Sequence, residues 1–265
     1  MQVIYILVAT TDRKILQNDF FKYLQTSEYL QLVVSNQIIH EDIALDWDKP
    51  FTKIINQKNK GISLNRNSCL HAVEKGVGII ADDDVSYNED FEQIIRKSFE
   101  QNPDFDIFTY KIDTQTEKPY KGYSKNSYEL NSNSVLNRQK ILKISSIEVA
   151  FRIEKIKEKQ IWFNTDFGIG SKKMTGGEEV IFLLDCLRAG LRLKYIPEFL
   201  VNHPFISSGK QYSNKLLYSF GQVFHRAYGL LYYPFCVYFL LKKLPKLKQE
   251  KIPYFSALKT MWFGQ

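Results

Sequence analysis

Cysteine is scarce: Cys69, Cys186 and Cys236 are three in 265 residues, odd in number and far apart. A disulfide framework needs several paired cysteines and a zinc knuckle needs closely spaced ones, so neither is expected, and a reducing compartment is the expected setting. None of His40, His71, His203 and His225 stands four residues from another, which excludes a helical His-x-x-x-His zinc site. No internal repeat is visible. The apolar run Gly229 to Leu241 has 13 residues and contains Pro234, whereas a helix that crosses a bilayer needs about 20. Met1 to Ala9 lacks a basic leader and is short for a signal peptide, so it is expected to be a first core strand.

What is present is a globular composition. Hydrophobic residues make up 44% of the chain, enough for one α/β core with an appendage. Strand, helix and strand signals follow one another from Val3 to Val34, with Leu16, Phe20, Phe21 and Leu24 on one side of the first helix. That order predicts a parallel crossover unit. A second helix is expected from Gly61 to Gly76, with Ser63 as its cap and Asn65, Arg66 and Asn67 in its first turn, where amides and a guanidinium suit a phosphate or a base. Residues 114–134, rich in Ser, Asn, Lys and Tyr, read as a mobile loop or lid. Ser145 to Ile153 alternates as a half-buried strand, and Leu191 to Ile196 reads as a strand that Pro197 breaks.

Two stretches carry chemistry. Gly76-Val77-Gly78-Ile79-Ile80-Ala81 is a buried strand running into Asp82-Asp83-Asp84, and Asn88 can cap a helix whose inner face is Phe91, Ile94, Ile95, Ser98 and Phe99. Three adjacent carboxylates at a strand's carboxyl end repel one another unless a cation compensates, and Mg2+ or Mn2+ is the natural one. A solvated acidic turn is the plainer alternative. Gly176-Gly177-Glu178-Glu179 then opens a helix with Val180, Leu183, Leu184 and Leu187 at helical spacing and Gly190 as its left-handed cap. Acids in a first turn often only stabilise the helix dipole.

The net charge is +7, and it is concentrated at the end: Lys242, Lys243, Lys246, Lys248, Lys251 and Lys259 surround a single acid, Glu250. An anionic partner is implied. Interleaving with tyrosines and aliphatic residues favours a membrane surface, through residues 216–251, over a nucleic acid. The alternative is a helical hairpin packed on the domain or in a homodimer. The expected division is 1–210 for the α/β domain and 211–265 for a basic, amphipathic helical segment.

A Thr-bearing first strand end, Gly-x-Ser-x-x-Arg-Asn, an apolar strand into Asp-Asp-Asp, Gly-Glu-Glu-x-x-x-x-Leu-x-x-x-x-Ala-Gly and a late His-Pro occur in that order. Together they resemble the inverting family-2 glycosyltransferases of GT-A fold, over Met1 to Pro204, closest to bacterial enzymes of capsular or lipid-linked polysaccharide synthesis. The resemblance implies a mostly parallel nucleotide-binding sheet flanked by helices. It implies that Asp84, Asp82 and His203 serve the metal, that Thr10, Gln37, Arg66, Asp82 and Asp83 border the nucleotide-sugar, and that Glu179, with Glu178 next to it, is the general base. Asn36-Gln37 stands where relatives carry an Asp for the base. The expected donor is a nucleotide-sugar, UDP-sugars first, and the expected acceptor a lipid-linked glycan at the inner face of the cell membrane. A nucleotidyltransferase and an inactive nucleotide-binding membrane scaffold are the rival readings.

Overall fold

The computed structural model describes residues 2–40, 43–114, 116–203 and 211–264. Among them the strands, in chain order, are β1 (Ile4–Thr11), β2 (Leu30–Gln37), β3 (Thr52–Gln57), β4 (Val77–Asp82), β5 (Ser86–Tyr87), β6 (Ile107–Asp113), β7 (Tyr128–Leu130), β8 (Val149–Arg152) and β9 (Leu193–Asn202). The helices are α1 (Asp19–Tyr23), α2 (Ile62–His71), α3 (Phe91–Gln101), α4 (Val135–Ile141), α5 (Ile153–Glu158), α6 (Glu178–Arg188), α7 (Asn214–Tyr228), α8 (Tyr232–Lys242), α9 (Leu244–Gln249) and α10 (Tyr254–Phe263).

β1 is apolar on both faces, so it lies inside the sheet with parallel neighbours on each side, β2 and β4. Its period of two divides the core: Ile4, Ile6 and Val8 pack into one layer and Leu7 into the other. The strand order is β3-β2-β1-β4-β8-β6-β9-β5, with β7 on β9. The sheet is parallel from β3 to β4 and changes hand at β8, which is antiparallel to both β4 and β6. The expected α/β sheet flanked by helices is therefore present, and it is mixed rather than parallel throughout.

Several local expectations shift. The first helix is split into a 3-10 turn, Lys14–Gln17, and the five-residue α1, which bury Ile15 and Phe21 while Leu16 faces solvent. Gly61, at φ 137°, starts α2, and Ser63 is no cap because its hydroxyl donates to the Phe167 carbonyl. α2 stops at His71; Gly76 instead opens β4, where a β-carbon would meet the Val3 carbonyl oxygen at 2.7 Å. The Asn88 amide donates to the Phe199 carbonyl and does not cap α3. The alternating stretch from Ser145 is a 3-10 turn, Ser146–Glu148, followed by a four-residue strand that is buried on both faces because it lies between β4 and β6.

β9 passes through Pro197. A register shift in its pairing with β6, between Thr109 and Lys111, absorbs the residue that cannot donate. The segment expected to be a lid is anchored: β7 pairs with β9, Tyr123 Oη donates to Glu148 Oε2 at 3.0 Å, and Lys121 ion-pairs with the buried Glu148. Burial raises the Glu148 carboxyl, with Lys121 opposing that shift.

The C-terminal helices fold as a cluster of their own around Leu217, Cys236, Leu240, Leu247 and Met261. α7 joins it to the rest, because its Val223, Ala227 and Tyr228 belong to the core beneath α6. The expected boundary at 210 falls in 204–210, outside the described residues. Among the described residues, no helix is long and apolar enough to cross a membrane.

Candidate active site

β4 delivers its three acids to the carboxyl edge of the sheet, beside the end of β1. Each then takes a different partner. Asp82 Oδ1 accepts from Arg66 Nη2 at 3.0 Å, and Asp83 Oδ2 accepts from Thr10 Oγ1 at 2.6 Å. Asp84 Oδ2 lies 3.6 Å from His203 Nε2. Separate partners let three neighbouring carboxylates coexist without sharing one field. Burial pushes the Asp83 carboxyl up, while the His203 ring holds Asp84 below the usual carboxylate range.

Arg66 sits one turn into α2 and is only 3% exposed. Its Nη1 donates to Glu178 Oε1 at 2.8 Å and its Nη2 also donates to Ser146 Oγ at 2.9 Å. The guanidinium therefore joins α2, the end of β4, the turn before β8 and the first turn of α6. Planar, forked donors make this possible, and a lysine would reach one partner only.

α6 begins at Gly177, whose φ of 87° is in the left-handed region. A β-carbon there would stand 2.5 Å from Val223 Cγ2 of α7. Two residues earlier, the Thr175 N–H donates to Ser219 Oγ of α7 at 2.9 Å. α7 thus holds the loop that presents Glu178 and Glu179. The C-terminal end of α6 is closed by Gly190 N–H to Leu187 C=O and Leu191 N–H to Cys186 C=O, the paired bonds of a Schellman cap.

The two glutamates are in different states. Glu178 is buried and committed to Arg66. Glu179 is half-buried and has no ion pair among the described residues; burial, with Glu178 beside it, pushes its carboxyl up to about 8. A carboxyl poised near neutral pH is suited to taking a proton.

One cleft of about 490 Å3 gathers what the sequence singled out: Thr10, Gln37 and Arg66, then Asp82, Asp83 and Asp84, then Glu178, Glu179 and His203. Gln37 is fixed there by its own bond, Nε2 donating to the Gly61 carbonyl at 2.7 Å. A second cavity of about 670 Å3 shares Lys14, Asp83, Asp84 and His203 with the first. Pro204, which completes the His-Pro pair, lies outside the described residues.

Lys14, Tyr120 and Ser146 also line the cleft and were not singled out from sequence. Lys14 follows Thr10 by four residues in the same turn, a signal that could have been read. Tyr120 and Ser146 lie in stretches whose local pattern does not point to the cleft, and only the tertiary fold brings them in.

Among the described residues, no group of three or more His, Cys, Asp and Glu is arranged to hold a metal ion. Of the three expected ligands, Asp84 and His203 face each other, while one Asp82 oxygen is taken by Arg66. This donor set still fits a hard cation of the kind that takes one or two protein ligands and completes its shell with phosphate oxygens and water.

The mixed sheet thus carries an acid turn after its fourth strand, with an acidic helix start across the cleft. No family model matches the chain, and no curated protein matches it. Solved structures do: S. aureus TarS 1-349 in complex with UDP-GlcNAc aligns with a TM-score of 0.62 at 15% identity, over 84% of this chain and 66% of that one. The complex of the same TarS fragment with UDP aligns with a TM-score of 0.58 at 15% identity, over 92% and 72%. A longer TarS structure aligns at 0.58 and 16% identity over 84% of this chain, which spans only 38% of it. At such identities the likeness is one of fold.

Proposed function

We propose that this protein is an inverting glycosyltransferase that moves a sugar from a UDP-sugar to a hydroxyl of an acceptor glycan. The observation that carries the proposal is that the acid turn after β4 and the first turn of α6 line one cleft, joined through Arg66. Glu179 takes the proton from the acceptor hydroxyl as that oxygen attacks the anomeric carbon. The new C–O bond forms as the bond to the diphosphate breaks, and the nucleotide leaves with the electron pair. Glu178 and Asp82 stay paired with Arg66 and keep the base and the donor side in register. Asp84, with His203, would hold Mg2+ or Mn2+, which supplies positive charge against the diphosphate.

The crystallised TarS complexes with UDP and UDP-GlcNAc support a uridine nucleotide as donor. The order of motifs supports a family-2, hexosyltransferase-type enzyme of cell-surface polysaccharide synthesis. The basic C-terminal segment supports an acceptor that is lipid-linked and reached from the inner membrane face. The test is release of UDP from a panel of UDP-sugars by the purified chain with Mn2+, with Glu179→Gln alongside. Release by the wild type and its loss in the variant are expected. No release from any donor, or equal release by both proteins, overturns the reading.

A further inference from the structure

Most exposed apolar side chains are scattered, but seven of the sixteen large ones among the described residues fall between Leu230 and Phe263. They form stripes. On α8, Tyr232, Cys236 and Leu240 point into the C-terminal cluster, and Pro234, Tyr238 and Leu241, at the i, i+4, i+7 spacing of one helix face, are exposed. On α10, Phe255, Lys259 and Phe263 repeat every four residues on the exposed side, Phe255 being 80% exposed.

The two helices lie side by side and antiparallel: Tyr254 Oη donates to the Val237 carbonyl at 3.4 Å, and the Tyr233 and Trp262 rings are 5.4 Å apart. Phe263 is thus near the end of α8 that carries Tyr233 and follows Leu230 and Leu231, and Phe255 is near the middle of α8. α7, by contrast, has no apolar face to offer. Leu217 is fully buried, Val223 packs beneath α6, and α10 crosses Gly221 so closely that a β-carbon would meet the Met261 carbonyl oxygen at 1.9 Å. Within the segment expected at 216–251, α7 packs most of its apolar residues inward, and the exposed apolar surface continues beyond 251 to Phe263.

We propose that the exposed faces of α8 and α10, with the Leu230–Leu231 turn, form one docking surface for an anionic lipid bilayer. The charge pattern decides between occupants. Six lysines and one glutamate lie between Tyr232 and Phe263, and Glu250 faces Lys246 at 3.7 Å. Lys242 stands over the Tyr238 ring at 4.6 Å, at the end of the α8 stripe. A twofold dimer through this patch would bring two copies of the same lysine-rich surface together with one acid each to offset them, whereas anionic headgroups would neutralise the lysines while the phenyl and leucyl groups enter the acyl boundary. With α7 attached both to this cluster and to the loop before Glu178, docking would set the cleft at a fixed height above the bilayer.

This inference rests on the membrane-side part of the function proposed above and is independent of the sugar chemistry, so the two are measured separately. The full chain is floated with phosphatidylcholine vesicles and with vesicles that also contain phosphatidylglycerol, and UDP release is followed without lipid. Flotation with the anionic vesicles alone is expected. Phe255→Ser with Phe263→Ser should weaken it by at least about tenfold. Lys242→Gln, Lys243→Gln and Lys248→Gln together should weaken it by about a hundredfold, roughly fivefold per lysine. All these side chains are exposed, and unchanged thermal unfolding checks that the variants fold. Absence of flotation, flotation indifferent to the substitutions, or a dimer in sedimentation that the Phe substitutions dissolve overturns the docking surface whatever the turnover. Flotation without UDP release in any condition leaves the surface standing and removes the enzyme reading.

Discussion

Arg66 Nη1 and Glu178 Oε1 lie 2.8 Å apart in a buried pair, although 112 residues separate them in the chain. Because Nη2 of the same guanidinium holds Asp82, one side chain keeps the acid turn and the helix start at a fixed spacing. Arg66→Ala leaves Glu178 buried without its cation and should cost about 3–5 kcal/mol in unfolding free energy, read by urea denaturation. Arg66→Lys keeps a charge but loses the fork, so UDP release should fall by more than stability does. A variant with Ala and unaltered stability would contradict the bridging role.

Replacing Glu179 by Gln keeps the shape and removes the proposed proton acceptor. Turnover should fall by about 100–10,000-fold, the usual share of a general base, with UDP affinity by calorimetry nearly unchanged. The raised carboxyl gives a pH signature as well. A base works deprotonated, so kcat/KM should climb with pH and level off above about 8, the value to which Glu179 is pushed.

Stability should move the opposite way in the protein without nucleotide. Between the ordinary carboxylate value and about 8, folded Glu179 keeps a proton that the unfolded chain has already lost. Folding is therefore favoured at the acid end of that window and loses this contribution as pH rises through it. The Tm advantage of Glu179→Gln over wild type should grow from pH 5 to pH 9, and a constant difference would remove the assignment.

Asp84→Asn tests the cation side. Its amide preserves size but removes the charge that His203 holds in the ionised form. Titration of UDP in the presence and absence of Mn2+ should show a gain in affinity for wild type and none for the variant. Equal affinities in both conditions for the wild type would leave Asp84 and His203 without a metal.

Gly177→Ala probes the coupling of α7 to Glu179. The added methyl would stand 2.5 Å from Val223 Cγ2, at a backbone φ of 87° that side chains rarely adopt. A loss of about 1–3 kcal/mol is expected from the overlap. A larger proportional loss of UDP release should accompany it, because Glu179 is two residues away. Adding Val223→Ala should restore part of both.

Local patterns were legible where one residue's fate depends on its near neighbours. Gly190 as a left-handed cap, the inner face of α3 and β1 as a core strand all followed from local pattern, since helix and strand periods are properties of the backbone. The acid turn was legible for a related reason: three like charges at the end of an apolar strand require an explanation wherever the strand goes. Ser63, Asn88 and Pro197 misled, because each has a local preference that a distant partner overrode: the Phe167 carbonyl, the Phe199 carbonyl and the register shift against β6.

By itself the sequence determined which side chains carry the charge, that an apolar strand runs into the acid turn, and that a lysine-rich apolar tail follows the α/β part. Tertiary structure alone decided that Glu178 is bound to Arg66 while Glu179 faces the cleft, that α7 packs Val223, Ala227 and Tyr228 beneath α6, and that α8 and α10 carry exposed apolar side chains. The reason is the same in each case. A burial pattern is written along the chain, but the partner of a buried charge or a helix face is chosen by packing between segments a hundred residues apart.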